Sequence, residues 1–127
     1  MNGLLYKGVL MPILYRADAK TEEGYPGITR TILVDASHGA QSLWVAHLEI
    51  EPGARVTTHI HPDTEEAMVI VEGELEAVLG DEVVTLGPGD TVLAPAGVKH
   101  GFVNRSGAKA VLLASFPKTS FKRVSAE

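Results

Sequence analysis

Four side chains near the middle of the sequence have the types and spacing of a metal site. His59 and His61 are two residues apart in a segment rich in Val, Thr and Ile, which predicts a β-strand. Residues i and i+2 of a strand project from the same face, so both imidazoles can reach one point in space. After a predicted turn at 62–64, Glu66 opens the next strand, which we expect to return antiparallel beside the first. The carboxylate would then face the histidine pair.

His100 completes this set. It begins another predicted strand much later in the chain, and closure of a barrel could bring it to the same point. Three neutral imidazoles and one carboxylate suit manganese, iron, cobalt, nickel, copper or zinc, and we favour manganese or iron. A six-coordinate ion held by four side chains would keep open positions for water, a substrate oxygen or dioxygen. The predicted metal ligands are therefore His59, His61, Glu66 and His100.

Strand alternation separates the metal ligands from their neighbours. Glu65 could replace Glu66, but only one of the two can point inward, and Glu66 is in phase with Met68 and Ile70. The same alternation places Phe102 on the face of His100. The candidates for the wall of a substrate pocket are Met68, Ile70, Phe102 and His47. Core packing explains the three apolar residues nearly as well, and His47 alternates with Trp44, Ala46 and Leu48, so that it faces away from them.

The segments that must position these residues are short and rich in Val, Leu, Ile and Thr, and glycine and proline separate them. Turn residues such as Gly73 and Gly80 favour hairpins between consecutive strands. Residues 16–27 are polar and are predicted to form a loop, and no segment has the apolar spacing of an amphipathic helix. The prediction is an all-β barrel or sandwich with strands at 4–10, 29–34, 43–51, 55–60, 66–71, 74–79, 82–86, 91–94, 99–104 and 110–116.

Two stretches of the sequence resemble the motifs of the cupin family. Residues 53–73 fit the first motif, G-x5-H-x-H-x4-E-x6-G, and residues 89–104 fit the second, G-x5-P-x-G-x2-H-x3-N, at every fixed position. The resemblance implies a double-stranded β-helix, or jelly-roll barrel, formed by one cupin domain over residues 1–127. It also implies that the metal ligands of the family correspond to His59, His61, Glu66 and His100.

Composition limits the other possibilities. The chain has 127 residues, no cysteine and a net charge of -5, which exclude thiolate chemistry and disfavour a nucleic-acid partner. A local excess of cations at Lys118, Lys122 and Arg123 is explained by a solvated tail at least as well as by an anion site. Because no apolar run approaches the roughly 20 residues that span a bilayer, we expect no membrane partner and a cytoplasmic protein.

Three functions are compatible with such a site. The first is an oxygenase or dioxygenase acting on a small molecule, in which Glu66 could detach and act as a catalytic base. The second is a non-redox isomerase, decarboxylase or lyase for a sugar or carboxylic acid derivative. The third is a ligand-binding or metal-binding module without turnover. We also expect a homodimer, because the apolar amino-terminal strand and the doubly apolar strand of Glu66 would expose hydrophobic surface in a monomer.

Overall fold

The computed structural model describes residues 2–127, and the fold in this part of the chain is all-β, as predicted. Two short 3₁₀ turns, Arg16–Asp18 and Ala36–His38, are the helical elements within it, and no helix there is long and apolar enough to cross a membrane. The strands are β1 (Gly3–Tyr6), β2 (Val9–Pro12), β3 (Thr21–Tyr25), β4 (Ile28–Val34), β5 (Trp44–Ile50), β6 (Arg55–Ile60), β7 (Glu66–Glu72), β8 (Leu75–Leu79), β9 (Glu82–Leu86), β10 (Thr91–Ala94), β11 (His100–Val103), β12 (Ala110–Phe116) and β13 (Val124–Ser125).

Two larger sheets enclose the core. One has the strand order β10-β7-β12-β5-β4-β3 and the other β13-β6-β11-β8-β9, and every neighbouring pair is antiparallel. Buried side chains from both sheets pack into one cluster, in which Ile50 and Ile70 of the first sheet meet Leu75 and Phe102 of the second. Each sheet therefore buries one face against the other, as two packed antiparallel sheets require.

Several connections cross between the sheets, which corrects the expected pattern of consecutive hairpins. β8 and β9 do form a hairpin, but β6 pairs with β11 and β13, whereas β7 pairs with β10 and β12. From the sequence we expected Glu66 on a strand paired with the histidine strand β6. In the structure Glu66 lies instead on the opposite sheet and faces β6 across the interior. Gly73 makes one such crossing with φ +78, and a Cβ there would lie 2.7 Å from the carbonyl oxygen of Lys109. Only glycine fits this turn without displacing backbone.

A bulge in β6 changes which residues face inward. Opposite β11, His100 aligns with His59 and Phe102 with Val56, so β6 contains one extra residue over the same distance. Val56 and His59 can thus both face the interior although they are three residues apart. Gly101 lies against the bulge, where a Cβ would approach the Val56 carbonyl oxygen to 2.8 Å.

Both ends of the chain differ from the sequence prediction. The single strand expected at 4–10 is a hairpin of β1 and β2, because Lys7 and Gly8 have positive φ and reverse the chain. The loop expected at 16–27 contains β3, an edge strand without apolar alternation that pairs with β4. β13 was not predicted, since it is two residues long and pairs only at the end of β6.

Candidate metal centre

The four predicted ligands converge in the interior. His59 lies in β6 and His61 just beyond its end, Glu66 opens β7, and His100 opens β11. Their exposed fractions are 5, 5, 7 and 2%, and one potential ligand atom from each lies within 4.8 Å of the others. Buried ionisable groups rarely cluster unless they are paired or bind a metal, so this group could hold an ion.

Backbone carbonyls orient all three imidazoles in the same way. The Nδ1 atoms of His59, His61 and His100 lie 2.7, 2.5 and 3.0 Å from the carbonyl oxygens of Thr57, Lys122 and Val98, respectively. A carbonyl accepts hydrogen bonds only, so each Nδ1 carries the proton. The Nε2 atom of each ring is left to face the cluster. Metal-binding histidines are usually fixed in this manner by a partner of the second ring nitrogen.

The distance between two of these Nε2 atoms tests whether a cation fits. Nε2 of His59 and Nε2 of His61 are 3.1 Å apart. With both protons on Nδ1, each Nε2 presents a lone pair, and two neutral rings cannot hydrogen-bond to each other through these atoms. A positive charge between them removes the repulsion, so the donor set fits a divalent transition-metal ion with nitrogen and oxygen ligands.

Glu66 supplies the oxygen ligand. Its Oε1 lies 2.9 Å from Nε2 of His100 and 3.6 Å from Nε2 of His61. In the metal-free protein, burial acts to lower the pKa of His100. The hydrogen bonds of this ring to Glu66 and Val98, together with the charge of Glu66, outweigh burial, so the pKa lies above its ordinary value. Burial lowers the pKa of His59 to about 4. The pKa values of two imidazoles in one cluster are thus shifted in opposite directions, and perturbed pKa values are typical of functional sites.

The adjacent carboxylate takes no part in the cluster. Glu65 is exposed, whereas Glu66 is buried in the group, which is the arrangement that strand alternation predicts.

An apolar cavity of about 240 Å³ opens above the four side chains. Met68 and Phe102 line it, as predicted. Ile70 does not line it and is fully buried in the core, because the cavity lies near the beginning of β7 and Ile70 is further along. His47 does not line it either, since Trp44 and Leu48 point inward from β5 and alternation turns His47 to the outer face.

Sequence reasoning missed most of the cavity wall. Five aromatic rings and two guanidinium groups line it beside the four candidate ligands, and only Phe102 among them was predicted to do so: Tyr25, Trp44, Phe102, Phe116, Phe121, Arg30 and Arg123. The alternation of β5 could have identified Trp44, and that of β4 could have identified Arg30. No sequence pattern could have identified Phe121 or Arg123, because their placement depends on how the chain returns after β12.

Phe121 and Arg123 of the carboxy-terminal segment, residues 117–127, line the cavity. Residues 122–127 are exposed, but the segment is held against the protein and is not the free tail expected from the sequence. Phe121 stacks on Phe116 with ring centroids 3.7 Å apart. Asp63 accepts a hydrogen bond from the Lys122 amide at 3.1 Å and pairs with Lys118 at 3.2 Å, and these contacts, the first foremost, lower the pKa of Asp63. The segment is therefore anchored to the turn that follows His61.

Comparisons with known proteins agree with the fold described above. Residues 46–116 match the family profile described as "Cupin domain". Curated relatives include the tetracenomycin polyketide synthase protein TcmJ of Streptomyces glaucescens, 33% identical over 84 residues, and the polyketide synthase CurC of Streptomyces cyaneus, 35% identical over 78 residues. The matches cover 66 and 61% of this chain but only 56 and 51% of those relatives.

A solved structure is similar over more of the chain. The polyketide cyclase RemF from Streptomyces resistomycificus superposes with a TM-score of 0.80 at 27% sequence identity, covering 92% of this chain and 86% of RemF. The similarity thus extends beyond the matched profile, residues 46–116.

Proposed function

We propose a function on the premise that this chain belongs to the cupin family, which the match over residues 46–116 establishes. The protein is a metal-dependent enzyme that acts on a planar, oxygen-rich small molecule of the polyketide type. It promotes ring closure, isomerisation or loss of water without net oxidation of the substrate. This proposal belongs to the non-redox class that the sequence offered as an alternative to an oxygenase, but ring closure and a polyketide substrate were not among the reactions and substrates named there.

One observation carries the proposal. The lone pairs of His59 and His61 face each other across 3.1 Å at the base of an apolar cavity, next to a buried carboxylate. A site built only for stability would not place two acceptors in this way, because each buried lone pair without a partner costs free energy. A divalent ion bound between the two Nε2 atoms would satisfy both lone pairs, and a substrate in the cavity could then bind to this ion.

The walls of the cavity support the substrate class. Flat aromatic side chains such as Trp44, Phe102 and Phe116 line the same space as the four candidate ligands. Planar conjugated molecules stack favourably on such rings. The relatives described above are named as a polyketide cyclase and as polyketide synthase proteins, which favours cyclisation over oxygenation.

The side chains at the site have distinct roles in the proposed reaction. A bound ion would act as a Lewis acid on a carbonyl or hydroxyl oxygen. His59, His61 and His100 hold their Nε2 atoms toward it, fixed by backbone carbonyls. Glu66 completes the ligand set and, when it detaches, takes a proton from the carbon or oxygen next to the polarised group. The apolar wall excludes water that would compete for the substrate oxygen.

The experiment that tests this function compares wild type with Glu66→Gln in an anaerobic assay. Protein loaded in parallel with zinc, manganese or iron is incubated with linear poly-β-carbonyl acids, and products are followed by ultraviolet absorbance and mass. Loss of water or an isomeric product without oxygen supports the proposal, and Glu66→Gln should lose the activity while Glu65→Gln keeps it. Products that gain oxygen only in air would instead support the oxygenase.

Lack of any turnover with metal bound would favour the third function, a binding module. In that case the cavity should still bind planar ligands, and calorimetric titration distinguishes the two outcomes. Manganese and iron stay our preferred ions only for the oxygenase, because Lewis acid catalysis works equally well with zinc or nickel.

The homodimer expected from the sequence is also a proposal. Leu5, Tyr6 and Val9 of the amino-terminal hairpin are 75, 62 and 65% exposed, and Leu93 of β10 is 63% exposed. Large exposed apolar side chains of this kind are typical of interfaces, and a second copy of the chain is the occupant that we expect. Light scattering at micromolar concentration tests this, and a monomeric mass would contradict it.

The prediction of one cupin domain over residues 1–127 also stays a proposal. Cooperative unfolding in a single transition would support it.

A further inference from the structure

We propose that Arg123 binds an anionic oxygen of the substrate, so that the cavity selects planar monoanions over neutral molecules of the same shape. This inference rests on the proposed function, which places the reaction at the four candidate ligands. It adds that the substrate carries a negative charge. A carboxylate and an enolate share the required chemistry, namely delocalised negative charge on planar oxygen atoms.

Arg123 is held at the mouth of the cavity by contacts that leave part of it available. Its Nη2 donates to Oγ1 of Thr57 at 2.7 Å and to the Thr57 carbonyl at 3.3 Å, and its guanidinium carbon lies 5.2 Å from the ring centroid of Tyr25. These hydrogen bonds use Nη2 alone, so Nε and Nη1 can donate to a ligand. The side chain is thereby pre-oriented, which reduces the entropy lost when an anion binds.

The other guanidinium in the wall is already neutralised. Arg30 forms an ion pair with Glu22 and lies 5.7 Å from the ring centroid of Trp44. By contrast, no carboxylate within residues 2–127 lies at salt-bridge distance from Arg123. Of the two cations that line the cavity, Arg123 is therefore the one whose charge is left for a ligand.

A shared backbone atom ties Arg123 to the metal cluster. The Thr57 carbonyl oxygen accepts from Nη2 of Arg123 and also lies 2.7 Å from Nδ1 of His59. The guanidinium thus lies beside an imidazole of the predicted metal site, on the side of the cavity mouth. A substrate can contact the metal cluster with one oxygen and Arg123 with another.

This arrangement explains the cations at the end of the sequence better than a solvated tail. Lys118 is paired with Asp63 on the outside of the segment, whereas Arg123 lies over Tyr25 and lines the cavity. Planar guanidinium groups bind carboxylates through two parallel hydrogen bonds, and a nearby aromatic ring stacks well on a flat ligand.

The test uses two ligands of equal shape and different charge, 2-naphthoate and 2-naphthamide. Trp44 is the only tryptophan of the chain and lines the cavity, so its fluorescence reports binding, and calorimetry provides an independent measurement. Titrations are carried out with metal-free and zinc-loaded protein, because zinc alone could bind a carboxylate. We expect wild type to prefer naphthoate in both forms. Arg123→Gln should weaken naphthoate binding roughly tenfold or more and leave naphthamide binding unchanged.

Two further variants complete the experiment. Arg105→Gln removes an exposed arginine paired with Glu76 and should change neither affinity. Arg123→Lys keeps the charge but loses the planar fork, so it should bind naphthoate with intermediate affinity even if Arg123→Gln disturbs the segment. Equal loss of both ligands in Arg123→Gln, an unchanged naphthoate affinity, or no preference for naphthoate in wild type would each overturn the inference.

The outcome is separable from that of the proposed function. If naphthoate binding depends on Arg123 while no poly-β-carbonyl acid is converted, the inference stands and the enzymatic proposal fails. If poly-β-carbonyl acids are converted but ligand binding depends neither on Arg123 nor on the charge of the ligand, the proposed function is supported and this inference fails.

Discussion

Nδ1 of His61 lies 2.5 Å from the backbone carbonyl oxygen of Lys122, 61 positions later in the chain. The carboxy-terminal segment thereby fixes the tautomer of a predicted metal ligand. Asp63, which accepts from the amide of the same Lys122, holds that carbonyl in place. The metal cluster thus depends on a segment that lies outside both cupin motifs.

Removal of this anchor should weaken metal binding without touching a ligand. In Asp63→Ala the segment loses the contacts that Lys118 and Lys122 make with Asp63, so His61 is oriented less firmly. Partners of metal ligands typically contribute about 10-fold to 100-fold to affinity, and we expect a loss of up to roughly tenfold here, where the partner is only displaced. Chelator competition measures the affinity. Asp81→Ala, which removes an exposed partner of Lys99, is the control and should have no effect.

Two adjacent glutamates offer a matched test of the oxygen ligand. Glu66→Gln keeps the shape of the buried side chain but removes its charge and should weaken metal binding by at least about 100-fold, more than the loss of an outer partner. Glu65→Gln makes the same change at an exposed position and should leave the affinity unchanged. Equal effects of the two substitutions would show that the carboxylate ligand is misassigned.

Metal affinity should fall as the pH is lowered. Each imidazole must be neutral to coordinate, so the metal-free protein binds more protons than the metal-bound one and the affinity rises with pH. Because the pKa of His100 is raised by its contact with Glu66, proton competition begins above the ordinary value of about 6.5. Burial holds the pKa of His59 at about 4, so this ring competes only at more acidic pH. Titrations at several pH values measure the trend, and an affinity that stays constant from pH 7 to 4 contradicts it.

The bulge of β6 should be sensitive to a single methyl group. Gly101→Ala places a Cβ 2.8 Å from the carbonyl oxygen of Val56, so the bulge or β11 must move. Overpacking of this kind costs about 1–3 kcal/mol, and we expect a loss of that size in the free energy of unfolding together with weaker metal binding. Gly107→Ala is the control, because a Cβ there meets no atom within 4 Å. Denaturant unfolding with equal stabilities for the two variants would argue against the bulge.

Part of this structure could be predicted from the sequence. The period of two along β6 placed His59 and His61 together, and alternation selected Glu66 over Glu65, because both rules act over a few residues. The bounds of β6, β9, β10 and β12 were predicted correctly, since Gly and Pro mark their ends. Closure of a barrel and the cupin motifs added His100 to the candidate ligands, and the motifs predicted the fold.

The remainder depends on contacts between distant segments. Glu66 was expected beside the histidine strand because a short turn favours a hairpin, but the burial of two sheet faces against each other sends β7 to the opposite sheet. The roles of Phe121 and Arg123 follow from the path of residues 117–127, which depends on long-range anchors such as Asp63. Nothing in the local pattern of those residues distinguishes them from a solvated tail.

The central claim is that three imidazoles and one carboxylate bind a metal ion. Equilibrium dialysis of wild type against zinc or manganese at neutral pH, followed by elemental analysis, tests it most directly. We predict one ion per chain for wild type and for the control His47→Gln, whose ring lies outside the cavity, and almost none for His100→Ala. Wild type without a bound ion, or His100→Ala with as much ion as wild type, would contradict the account.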